Sequence, residues 1–123
     1  MHEAIAAFER LLADQRRVLG PDAPATLEAR HRLAWWLGRS GRVDHGIPEL
    51  EQVLADQVRV FGPDAPDTLE TGFSLAESLA ESGRVHEAIA TFERLLADQV
   101  RVLGPDTHDT RATRDRLAEL GKI

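Results

Sequence analysis

From Val85 to Leu103 the apolar residues Val85, Ala88, Ile89, Phe92, Leu95, Leu96, Val100 and Leu103 fall at steps of three and four, the spacing that aligns them on one stripe of an α-helix. At 1.5 Å per residue such a helix is about 28 Å long. Gly104 can take the left-handed conformation that ends it, and Pro105 cannot continue it. Asp106 then suits an N-cap, as do Asp22 and Asp64, and Pro24 and Pro66 fall in a first turn, where a missing N–H costs little. Leu69, Phe73, Leu75, Ala76, Leu79 and Ala80 form the next apolar face, closed by Ser82-Gly83, and Gly41 closes its earlier counterpart. The pattern predicts six helices, at 2–19, 23–40, 44–61, 65–82, 86–103 and 107–120. Their connections are short, so sequential neighbours run antiparallel.

The pattern is periodic on a larger scale. Leu-Gly-Pro-Asp at 19–22, Phe-Gly-Pro-Asp at 61–64 and Leu-Gly-Pro-Asp at 103–106 are spaced by 42 residues. Residues 2–19 recur at 86–103 with two changes, Ala7 against Thr91 and Arg16 against Val100, and the copy at 44–61 has drifted further. The chain therefore divides into a half repeat at 1–19, full repeats at 20–61 and 62–103, and a terminal helix within 104–123, all in one domain. A fixed period of this size marks a stacked repeat protein, whose work is holding partners.

The block Leu-Ala-x-x-Leu-x-x-x-Gly-Arg-Val-x-Glu-Ala-Ile at 75–89, with Phe92 three residues beyond, resembles the core of a tetratricopeptide repeat. The longer step with Gly-Pro-Asp-Ala-Pro-Asp-Thr-Leu is similar to the kinesin-light-chain type, common in bacterial regulatory proteins. The resemblance implies an all-α fold, a right-handed α-solenoid of antiparallel helix hairpins. Its concave groove would be lined by the helices at 23–40, 65–82 and 107–120. Members of that family often carry an Asn pair before Leu-Ala that clamps an extended peptide. The matching pairs here are His31-Arg32, Phe73-Ser74 and Asp115-Arg116, so the clamp is not carried over. Gly46 replaces the Ala of the other copies and Pro48 interrupts early, which predicts an irregular start to the third helix.

Composition narrows the function classes. Hydrophobic residues make up 42% of the chain but aromatics only 5%, so the core is built from Ala, Leu and Val. A net charge of −6 and a pI near 5.3 argue against nucleic-acid binding, which needs a basic face. No segment approaches a membrane span and no signal peptide is visible. The absence of Cys excludes disulfide and thiol chemistry and fits a cytoplasmic protein. Fourteen of the fifteen basic residues are Arg, a bias that suggests a GC-rich bacterial genome. His2 and His86 share one repeat position while His31, His45 and His108 stand apart, and no catalytic or phosphate-binding motif occurs. Neither an active site, a metal site nor a cofactor is expected.

On a helical wheel of the second helix, Leu27, Leu33, Ala34, Leu37 and Gly38 occupy the buried arc. Trp35 falls outside it, sharing the groove face with Glu28 and Arg39, while Trp36 points toward the preceding repeat. Each Trp is either a cover for neighbouring helices or an aromatic anchor for a partner. The groove candidates are Glu28, His31, Arg32, Trp35, Arg39, Glu70, Phe73, Glu77 and Glu81. Residues 22–42 carry Asp22 and Glu28 against Arg30, Arg32, Arg39 and Arg42, net +2; residues 64–84 carry Asp64, Asp67, Glu70, Glu77 and Glu81 against Arg84, net −4. This is either an ordinary solvated face or a bipolar groove selecting an oppositely patterned partner.

The first helix is nearly a copy of the fifth yet has no preceding helix in this chain. Part of Ile5, Phe8, Leu11 and Leu12 is therefore expected to be bare, and Arg16 stands where Val58 and Val100 stand inside. Self-association through Ile5, Phe8, Leu12, Arg16 and Trp36 follows, as a two-fold dimer of first helices in preference to a head-to-tail chain. The last helix, with only Ala112, Leu117, Ala118 and Leu120 as apolar residues, suits a cap. The reading is a protein-interaction scaffold that binds protein or peptide and self-associates. The alternatives are a fragment of the sensor array of a larger bacterial regulator, and a small-ligand-binding or enzyme accessory domain.

Overall fold

The computed structural model describes residues 2–121; Met1, Lys122 and Ile123, the outermost positions of the predicted half repeat and terminal helix, lie outside the described residues. Six helices fill them: α1 His2–Leu19, α2 Pro24–Arg39, α3 Val43–Phe61, α4 Pro66–Glu81, α5 Val85–Leu103 and α6 His108–Glu119. Each packs on the helix before and after it, and α2 also touches α4. The result is an all-α solenoid in which the hairpins α2–α3 and α4–α5 are flanked by α1 and α6.

The glycines that end the long helices do so in a different way from that expected. Gly62 and Gly104 have φ 93 and ψ 162, an extended conformation with positive φ and not the left-handed helical one. Only glycine enters that region without strain. The N-caps also differ from expectation. Ala23, Ala65 and Thr107 occupy the cap positions, not Asp22, Asp64 and Asp106. The residue before a proline is pushed toward extended backbone, so Pro24 and Pro66 at the first helical position make the intervening alanine the cap. Two of the displaced aspartates, Asp22 and Asp64, accept paired bonds from guanidinium groups at the end of the next long helix. Arg59 reaches Asp22 at 2.9 and 3.2 Å, and Arg101 reaches Asp64 at 2.8 and 2.8 Å.

The core lies between successive hairpins. One cluster joins Ala34, Ile47, Leu50, Leu75, Leu79 and Ala88; the next joins Leu69, Ala76, Phe92, Leu95 and Leu117. Each large side chain fully buried there contributes about 1.5–3 kcal/mol. Of the predicted α5 stripe, Val85, Val100 and Leu103 stay exposed, and Gln99 joins Ala88, Phe92 and Leu95 in the interior.

The predicted irregularity of the third helix is absent: α3 runs unbroken from Val43 through Pro48. Pro48 lies on the exposed side of its second turn. Gly46 answers a packing need, because a Cβ there would lie 2.7 Å from the Ala34 carbonyl oxygen and 3.1 Å from the Gly38 nitrogen. Gly46→Ala is therefore expected to lower the unfolding free energy in urea by about 1–2 kcal/mol, since forced overpacking outweighs the helix-propensity gain of about 1 kcal/mol. A stabilised variant would show that α2 and α3 can move apart freely.

Candidate partner-binding groove

Helices α2, α4 and α6 hold two clefts between them. The first, about 430 Å³, is lined by Glu28, His31, Arg32, Trp35 and Trp36 of α2, Gln57 of α3, and Asp67, Glu70 and Ser74 of α4. The second, about 520 Å³, takes Glu70, Phe73 and Ser74 of α4, Gln99 and Leu103 of α5, and His108, Asp109 and Ala112 of α6 among its walls. Glu70 and Ser74 belong to both, so the clefts run into one another. Among the predicted groove residues Arg39, Glu77 and Glu81 line neither cleft and lie in ion pairs.

The positions matching the family's Asn pairs are tied to the neighbouring helix. The His31 ring is hydrogen-bonded through Nε2 with Ser74 Oγ at 2.9 Å and through Nδ1 with Thr71 Oγ1 at 3.2 Å. Burial holds this imidazole below its ordinary pKa of 6.5 against the opposing pull of Glu70. Arg116 donates to Glu77 across α4 and α6, and Arg39 lies 3.8 Å from Glu81 across α2 and α4. The opposite net charges of the two groove helices are thus partly spent on each other. Arg32 is held by Glu28 at 2.9 Å on its own helix.

Trp35 is 40% exposed, with the Arg39 guanidinium 5.0 Å from its ring centre. Trp36 is half-buried, edge-on to Trp35 at 5.3 Å and tilted against Phe8 of α1 at 6.4 Å. Phe73 is half core, 5.4 Å from Phe92.

On α1 the candidates separate. Ile5 and Leu12 are buried within the chain, so they are not part of a free surface. Leu11 is 46% exposed, whereas Val53 and Leu95 at the same repeat position are 0% and 5% exposed. Arg16 falls on a surface position in every copy, since Val58 and Val100 are exposed too, and it does not mark an adapted end.

Gln57 and Gln99 were not anticipated. They are 2% and 3% exposed, line the two clefts, and leave Oε1 without a hydrogen-bond partner, as Gln15 does at the same repeat position. An acceptor left so costs about 1–3 kcal/mol. The signal was in the sequence: Ala-Asp-Gln at 13–15, 55–57 and 97–99 puts one polar residue on an otherwise apolar stripe. Among the described residues no three metal-ligating side chains converge, and no helix is long and apolar enough to cross a membrane.

Two tetratricopeptide-repeat models match the sequence, over residues 1–55 and 74–109. The fold is similar to the nearly identical TPR-like repeats of a Podosopora anserina protein assigned to the kinesin light chains, with TM-score 0.87 and 28% identity over 97% of this chain. A substituted form of that protein matches equally, with TM-score 0.87 and 28% identity over 97% of this chain. This chain spans 56% of the length of each. No curated protein matches.

The lowered His31 pKa sets a pH dependence. Above about pH 6.5 the ring is neutral whether the chain is folded or not; below it the unfolded chain binds the proton first, so stability is lost as pH falls toward the folded pKa. Wild-type protein should lose more unfolding free energy between about pH 7.5 and about pH 5 than His31→Gln does. Parallel urea curves at the two pH values check this, and identical losses would remove His31 as the source.

Proposed function

The chain belongs to the tetratricopeptide-repeat family, in its kinesin-light-chain form, and on that premise we propose that its groove binds an extended segment of a partner protein. The observation that carries this is Trp35, an exposed aromatic set in the open groove and steadied by the Arg39 guanidinium. Buried aromatic anchors dominate binding energy at protein interfaces. The clefts run into one another instead of closing round a small molecule, which favours a polymer ligand over a small one. Bond chemistry, nucleic acid and membrane have no place in this reading.

A second reading concerns α1, and Leu11 favours it. A position covered in both interior copies is bare in α1, one turn from Phe8, a surface suited to a two-fold contact between copies. A longer array would cover the same surface with another repeat. The share of the similar chains spanned here, 56%, supports a longer array, and the Arg-rich, Cys-free composition is the ground for reading it as a bacterial cytoplasmic regulator.

The chain's two tryptophans both line one cleft, so intrinsic fluorescence reports its occupancy. Across an array of extended peptides, binders should shift Trp emission and lose about tenfold or more in affinity with Trp35→Ala. Unchanged binding would dismiss Trp35 as an anchor. Sedimentation of this chain should show a monomer–dimer equilibrium that Leu11→Asp shifts to monomer. Leu11 is exposed, so the fold survives the change. A strict monomer at high concentration would exclude the dimer.

A further inference from the structure

The two clefts are the same site built twice. Glu28 and Glu70, Asp67 and Asp109, and Gln57 and Gln99 are pairs one repeat apart. The first member of each pair lines the first cleft and the second lines the second, with Glu70 serving both. What these walls leave unmatched is uniform in kind. The first cleft sets three carboxylates, Glu28, Asp67 and Glu70, against one guanidinium, Arg32, which Glu28 already holds. His31 adds no charge near neutral pH, because burial lowers its pKa and both ring nitrogens are engaged. The second cleft sets Glu70 and Asp109 against no guanidinium or ammonium, with the His108 imidazole beside them. Each cleft also contains a buried glutamine whose oxygen lacks a donor. The terminal amide torsion is soft and two-fold, so a donor entering the cleft can claim that oxygen.

We infer that the paired clefts bind two basic side chains, arginine or lysine, of one extended partner segment. The inference rests on the groove reading above and names the chemistry of its ligand. A guanidinium or ammonium supplies both things the walls lack, positive charge for the carboxylates and N–H donors for the Gln57 and Gln99 oxygens. The spacing follows from packing. Groove helices α2 and α4 touch and are joined by the His31–Ser74 hydrogen bond; packed helices lie about 8–10 Å apart, and three residues of polyproline-II chain advance about 9.3 Å with every third side chain on one edge. The segment therefore carries its basic residues three positions apart.

The probe is a hexapeptide blocked at both ends, with two arginines three positions apart among prolines, titrated by calorimetry and by Trp fluorescence. It should bind about tenfold or more tightly than the same peptide with glutamates in place of arginines, and its affinity should fall as salt is raised. Placing the two arginines side by side should weaken it. Glu70→Gln, an exposed side chain shared by both clefts, should cost about tenfold or more. The double variant Gln57→Leu, Gln99→Leu should weaken binding while circular dichroism shows an intact fold. Equal or tighter binding of the glutamate peptide, or no effect of Glu70→Gln, overturns the inference. If glutamate peptides bind and Trp35→Ala abolishes that binding, the groove reading stands and the cationic ligand falls. If peptides of neither charge bind, both fall.

Discussion

Leu11, Val53 and Leu95 are one position of one repeat, and they differ in burial only by whether a groove helix lies in front of them. The same holds at the other end. Ala34 and Ala76 are buried, and Ala118, their counterpart on α6, is exposed, with no helix following it among the described residues. A hairpin of this size cannot enclose its own apolar face; each is finished by its neighbours. The two core clusters show it directly, since Leu75 and Leu79 of α4 pack with the first hairpin, while Leu117 of α6 completes the second. Stability here is a property of junctions between hairpins.

Much of the fold was legible because its punctuation is written three times. Steps of three and four fixed the helices, and the Gly-Pro-Asp turns fixed their ends to within a residue. The errors have local causes. The aspartates were misplaced as caps because a proline one residue later shifts the cap to the alanine between them. Gly46 read as a weakness because its reason lies on another helix, at the Ala34 carbonyl. Close approach between two backbones leaves no trace in the periodicity of either.

The groove was legible in membership but not in wiring. A helical wheel grouped Trp35 with Glu28 and Arg39, of which Trp35 and Glu28 line one cleft and Arg39 lines neither, and it turned Trp36 toward α1, where Phe8 meets it. It could not show that His31 reaches Ser74 and Thr71, or that opposite charges on α2 and α4 meet at Arg39 and Glu81. Net charge counts residues, whereas electrostatics depends on which of them are neighbours. The same limit hid the burial of Ile5 and Leu12: α1 has one covered face, and the stripe alone does not say which half of it α2 takes. Gln57 and Gln99 were visible as a polar break in an apolar stripe, and only the structure shows that the break opens onto the clefts.

The ties across the groove carry a last consequence. His31 with Ser74 and Thr71, and Arg116 with Glu77, join consecutive groove helices through hydrogen bonds, which demand direction as well as contact. They set the angle at which one hairpin follows the next. Any ligand longer than one repeat must match that pitch. A segment whose own rise is slightly off accumulates error with every hairpin it crosses, so a longer array would discriminate between partners more sharply than it would strengthen its hold on any one of them.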